Sequence, residues 1–183
     1  MIRPWRQISS RPLEDYRVFS VREERMLSPR TGQERDFFVI DSTNWVNVIA
    51  LTPEKQIILV EQYRHGSKTV ELEIPGGVMD ASDASPEATA SRELVEETGY
   101  EGDAPILVGH VFPNPAIMSN HCHTALVRNC YFTRPVQFDE GEDLATKLVP
   151  MEEIPELVAS GKIQHSLVVA ALFQFELWWK KLG

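Results

Sequence analysis

Residues 76–100, GGVMDASDASPEATASRELVEETGY, decide how this chain is read. Ser85 suits a helix N-cap, Pro86 the first helical position, and Gly99 the residue beyond the last turn. The segment therefore predicts a helix over Pro86–Thr98. At about 100° per residue, Glu97 lies about 40° to one side of Glu93 and Glu96 about 60° to the other, so three carboxylates share one arc. Ala88, Ala90, Ser91, Leu94, Val95 and Thr98 fall outside it and form the expected core face. Like charges one turn apart repel, and Arg92 relieves only part of that repulsion. Three hard oxygen donors on one stripe suit Mg²⁺ or Mn²⁺, which keep waters and recruit phosphate oxygens as further ligands. An acidic stripe alone is ordinarily a solvated face. The spacing R-E-L-x-E-E-x-G over Arg92–Gly99 decides otherwise, since six fixed positions arise by chance in such a chain with a probability of about 10⁻⁴. Gly76 and Gly77 add backbone carbonyls able to approach an ion closely.

Upstream of this segment, residues 16–27 and 36–40 read as extended runs around the turn Ser28–Gly32. Trp45–Leu51 and Gln56–Tyr63 form a hairpin about Thr-Pro-Glu-Lys, and Val70–Ile74 is a short strand stopped by Pro75-Gly76-Gly77. Downstream, Ile106–Phe112, His121–Phe132 and Leu144–Val149 are extended. A short helix at 151–159 and a long apolar helix from Ser166 close the chain. Many strands with few helices, out of strict alternation, predict an α+β fold with a mixed sheet. The division expected is an N-terminal strand extension over 1–41 and a main domain over 42–183.

Composition narrows the function. With 183 residues, 43% hydrophobic and 25% charged, the chain is an ordinary globular one. Its net charge of −9 argues against broad binding of nucleic acid. The apolar run Leu167–Trp179 is too short to span a bilayer and contains Gln174 and Glu176, so no membrane partner is expected. The polar, mixed-charge start holds no signal-like apolar run, and Cys122 and Cys130 form no CxxC pair, so a reduced, cytoplasmic protein is expected. His121-Cys122-His123 puts two imidazoles on one face of a strand, but a zinc site needs three or four converging ligands and no second cluster supplies them.

Gly77–Tyr100, with Arg92, Glu93, Leu94, Glu96, Glu97 and Gly99, resembles the Nudix box of the Nudix hydrolases, which split a nucleoside diphosphate linked to another moiety. The resemblance implies a Nudix-type α/β/α sandwich whose box forms a loop–helix–loop binding divalent metal. It implies Glu93, Glu96 and Glu97 as ligands, with a contribution from the Gly76 or Gly77 carbonyl, and Arg92 as the residue orienting the acidic cluster. The chain departs from the family pattern at one point. Counting forward from Gly77 to the early Glu reaches Asp83, and counting back from Arg92 reaches Ala84, so the chain carries one extra residue.

Val60–Arg64 and Glu71–Gly77 are similar to the ADP-ribose pyrophosphatase-like branch, and Pro115 stands where that branch carries a proline beyond the box. The resemblance implies hydrolysis of a nucleoside diphosphate sugar, ADP-ribose or a related small molecule, to a nucleoside monophosphate and a sugar phosphate. Arg64 is a candidate for gripping a substrate phosphate, or pairs with Glu71 or Glu73. Glu73 faces the metal site or pairs with Arg64, and Trp45 stacks on a base or packs in the core. The acidic loop Asp139–Asp143 resembles the loop that supplies a general base, with Glu142 first and Glu140 second, beside Glu97. Phe37–Ile40 and the N-terminal strands suggest, by the same resemblance, a homodimer in which they cross to the partner. A Nudix-fold sensor of nucleotide sugars without catalysis, and a nucleoside triphosphate clean-up enzyme, are the alternatives.

Overall fold

The computed structural model describes residues 1–136 and 143–181. Two compact units emerge. The first is Met1–Thr43 with Phe112–His121; the second is Asn44–Val111 with Cys122–Gly183.

The first unit is a three-stranded antiparallel sheet of β1 (Arg6–Asp15), β2 (Ser20–Leu27) and β3 (Glu34–Asp41), with β2 central. Residues 16–27 do not form one run, because an unforeseen strand, β1, precedes a turn at Tyr16–Phe19. Its sequence RQISSRPLED lacks an apolar face, and Pro12 argues against a strand interior. An edge position resolves this: β1 pairs on one side only, and its register shifts near Pro12. The segment from Phe112 onward joins β3 through Ile40 N–H to the Ile117 carbonyl (2.7 Å) and Ser119 N–H to the Ile40 carbonyl (3.1 Å).

The second unit carries the layers. β4 (Trp45–Ala50), β5 (Gln56–Arg64), β6 (Thr69–Glu73) and β7 (Gly76–Val78) lead into α1 (Pro86–Thr98). There follow β8 (Tyr100–Glu101), β9 (Ile106–Val111), β10 (Cys122–Val127), β11 (Tyr131–Phe132), β12 (Leu144–Pro150), a 3₁₀ turn (Met151–Glu153), α2 (Ile154–Ala159) and α3 (Ser166–Lys180). One sheet has the order β7-β4-β10-β9, with β4 and β10 parallel and the other pairings antiparallel; another has the order β12-β5-β6. Alternation along the strands divides the core. Val46, Val48, Ala50, Ile58, Ala125 and Val127 pack with Ala90 and Leu94 of α1, while Ile49, Leu51, Ile57, Leu59 and Leu126 pack with Val168, Ala171, Leu172 and Phe175 of α3. The result is the expected α/β/α sandwich with mixed pairing.

Two further expectations change. Pro75-Gly76-Gly77 does not only stop a strand: Gly76–Val78 itself pairs with β4. His121–Phe132 is not continuous, because Asn129 adopts positive φ (54°) and turns the chain between β10 and β11. Among the described residues, no helix is long and apolar enough to cross a membrane.

Candidate active site

Helix α1 begins and ends as its sequence dictates. The Ser85 side chain accepts from Ala88 N–H, and Gly99, at φ 72°, donates its N–H to the Val95 carbonyl. Its buried face differs from the expected one. Thr89, Ala90, Glu93, Leu94, Glu97 and Thr98 are buried, whereas Ser91 is exposed. Two of the three carboxylates therefore lie on the packed side of the helix. The two glycines of β7, which place no side chain against the helix, are the physical reason. A Cβ on Gly77 would fall 2.3 Å from Glu93 Oε1, so the glycine makes room for that carboxylate. Gly76 donates its N–H to Glu97 Oε2 (2.9 Å), and a Cβ there would fall 2.2 Å from the Val46 carbonyl oxygen.

Arg92 is the cationic hub. Its Nη2 lies 2.9 Å from Asp83 Oδ2 and 3.1 Å from the Val78 carbonyl, and its Nη1 lies 2.9 Å from both Glu93 Oε1 and Glu96 Oε2. Asp83 also accepts from Asp80 N–H and the Thr89 hydroxyl, each at 2.9 Å. The guanidinium holds the Asp83 carboxyl well below the usual carboxylate range, and Asp83 in turn raises Arg92 above its ordinary value. Arg92 therefore contacts two of the three box carboxylates as well as Asp83. Sequence reasoning missed its anchor, although the register slip that lands on Asp83 was the available signal.

The other candidates separate. Arg64 and Glu73 form a two-pronged pair, Nε–Oε1 at 2.7 Å and Nη2–Oε2 at 2.8 Å, with Glu73 2% exposed and the Arg64 side chain 40% exposed. Of the two readings of Glu73, the pairing with Arg64 is the one formed. Trp45 is half-buried at the start of β4, in register with Val78 and Cys122. Pro115 belongs to the first unit, while α1, β4–β7 and Arg64 belong to the second. Glu140 and Glu142 lie outside the described residues. His121 falls in the first unit, its ring 4.3 Å from that of Phe112, whereas His123 on β10 faces His110 at 5.9 Å.

The donor set fits a hard divalent ion in kind. Glu93, Glu96 and Glu97 present carboxylate oxygens, and two of these groups are held on the buried face beside Gly76 and Gly77 of β7. As the side chains stand, no three His, Cys, Asp or Glu groups among the described residues converge closely enough to hold an ion. Arg92 instead bridges Glu93 and Glu96.

Comparison with known proteins places this geometry. Residues 42–172 match the NUDIX domain. The chain is 29% identical over 133 residues to the ADP-ribose pyrophosphatase of Bacillus subtilis (72% of this chain, 71% of the relative). It is 26% identical over 167 residues to the ADP-ribose pyrophosphatase of Mycobacterium tuberculosis (90% and 80%). A crystal structure of an ADP compounds hydrolase superposes with a TM-score of 0.87 at 22% identity, covering 100% of this chain and 98% of that one, which shows a shared fold. Domain match, sandwich and box helix agree, and the chain belongs to the NUDIX domain family as a Nudix hydrolase resembling the ADP-ribose pyrophosphatases.

Proposed function

We propose that this protein hydrolyses the pyrophosphate bond of a nucleoside diphosphate sugar, ADP-ribose or a close analogue, with Mg²⁺ or Mn²⁺ as cofactor, giving a nucleoside monophosphate and a sugar phosphate. The observation that carries the reading is the burial of Glu93 and Glu97 against Gly76-Gly77 beside the Arg92 hub. Relatives named ADP-ribose pyrophosphatase across most of the chain support the choice of substrate.

Glu93, Glu96 and Glu97 would hold the divalent ion, which when bound stabilises charge on phosphate oxygens. Arg92, fixed by Asp83, keeps Glu93 and Glu96 on a common side of the helix. The Gly76 amide holds one Glu97 oxygen against β7 and so fixes the carboxylate's orientation. Arg64, braced by Glu73, is assigned to a substrate phosphate, for which its charged, planar guanidinium is suited. A carboxylate takes a proton from the water that attacks phosphorus as the bridging P–O bond breaks, and Glu142 is assigned that role ahead of Glu140. Trp45 is assigned to base stacking and Pro115 to the sugar branch. The protein is proposed to act as a cytoplasmic homodimer through its N-terminal strands.

A panel of nucleoside diphosphate sugars, assayed with Mg²⁺, with Mn²⁺ and with EDTA, tests the reading. Glu97→Gln should lower kcat by about 100-fold or more at an unchanged melting temperature. A normal rate in that variant, or turnover indifferent to EDTA, overturns it. Binding of the sugars without product would identify a sensor instead.

A further inference from the structure

At the turn end of the first unit's sheet lies a cavity of about 630 Å³ bordered by Arg3, Trp5, Ser28, Arg30, Gln33 and Arg35, with no Asp or Glu in its lining. This is unusual for a chain of net charge −9. Elsewhere in the same sheet, arginines meet carboxylates: Arg11 pairs with Glu23, Arg22 with Glu24 and Asp41, and Arg25 with Asp36. The three around the cavity meet only neutral acceptors or none. Arg3 Nη2 donates to the Pro29 carbonyl (3.2 Å) and Arg35 Nη2 to Gln33 Oε1 (3.4 Å), while the Arg30 guanidinium has no side-chain partner among the described residues.

The framework beneath them is fixed. Ser28, 5% exposed, accepts through its hydroxyl from Arg30 N–H (3.3 Å) and Thr31 N–H (3.2 Å). The turn closes with Ser28 N–H to the Gln33 carbonyl and Gly32 N–H to the Ser28 carbonyl, both at 2.9 Å. Trp5 stands edge-on to Phe37 (ring centroids 5.3 Å, 84°) and remains 41% exposed, so its orientation is set while part of its ring is open.

We infer that this cavity is a binding site for a nucleotide: the guanidinium groups of Arg3, Arg30 and Arg35 hold a diphosphate, and the Trp5 indole receives the base. Guanidinium offers phosphate a charge-assisted fork, and three such groups without carboxylate partners supply the charge that a diphosphate lacks. An indole face adds stacking with a planar ring. The site consists wholly of first-unit residues and shares none with the box helix. A nucleic-acid strand is the poorer occupant, because the rest of the chain repels a long phosphate backbone.

Calorimetric titration of the full chain with ADP and with inorganic pyrophosphate, in EDTA, tests the assignment. Wild type should bind both, ADP more tightly. The double variant R30A/R35A should weaken both by about tenfold or more, and W5L should weaken ADP alone by about fivefold or more. R30Q/R35Q, which removes the charge and keeps the stems, should reproduce the loss at an unchanged melting temperature. Unaltered affinity in both double variants, or no binding by wild type, overturns the site; equal affinity for ADP and pyrophosphate overturns the nucleotide. Because the readout omits divalent ions and turnover, a failure of the hydrolase reading leaves it unaffected.

Discussion

Charge is organised in opposite ways in the two units. Around α1, a single guanidinium meets Asp83, Glu93, Glu96 and a backbone carbonyl, and the next cation along the proposed site, Arg64, is gripped at two points by a buried glutamate. In the N-terminal sheet, eight arginines and seven carboxylates over residues 1–43 pair along the strands but leave three guanidiniums together without an acid. The contrast teaches that charge is cross-linked where acidic side chains must be held at fixed positions. Where charge is left uncompensated beside an aromatic ring, the surface is open to an anion.

The largest test of the crowded side is Gly76→Ala. The new Cβ meets the Val46 carbonyl on a strand with no room to retreat, so a loss of about 3 kcal/mol in chemical denaturation is expected, together with a fall in kcat as Glu97 loses its amide. Ordinary stability would mean that β7 can slide, and the contrast with the open sheet would weaken. Asp83→Ala comes next, at about 2 kcal/mol, because Arg92 keeps Glu93 and Glu96 but loses its best-placed partner. Asp83 also sets a pH dependence. Its folded pKa is depressed, so its contribution is complete above the unfolded value of about 3.9 and fades as pH falls from there through the folded value. Asp83→Asn should therefore flatten the acid limb of a stability–pH curve below about pH 4 while leaving its slope near neutrality alone.

Arg64→Lys removes the two-pronged grip on Glu73 and should cost about 1 kcal/mol, with KM rising more than kcat falls. Equal loss in kcat would shift Arg64 from binding to the reacting atoms. Smallest of all is Arg30→Ala, within about 0.5 kcal/mol of wild-type stability, since its guanidinium supports nothing in the fold. A larger loss would show that the open cluster is structural after all.

Much of the second unit was legible in the sequence because its signals are local. Ser85, Pro86 and Gly99 delimit α1 within the chain itself, and the short apolar run Val46–Leu51, stopped by Thr52-Pro53, gives a strand without outside help. The burial of Glu93 and Glu97 was not legible. A helical projection shows which residues share a side, but the depth of that side depends on what packs against it, here two residues lacking side chains. Asp83 was seen as an irregularity in spacing, and only three-dimensional contact shows it holding Arg92. Strand β1 escaped notice because an exposed edge strand needs no apolar stripe.

The parallel pairing of β4 with β10 carries a last consequence, for the order of assembly. Trp45–Ala50 and Cys122–Val127 lie far apart along the chain, and α1 is threaded within the loop they close. The floor under α1 is built from both strands: Val46, Val48 and Ala50 from one, Ala125 and Val127 from the other. Long-range closure is slow because its entropic cost precedes its contacts. The helix can coil early on its own caps, yet it gains its full seat only after synthesis has passed Val127, so hydrolytic competence is acquired late in folding.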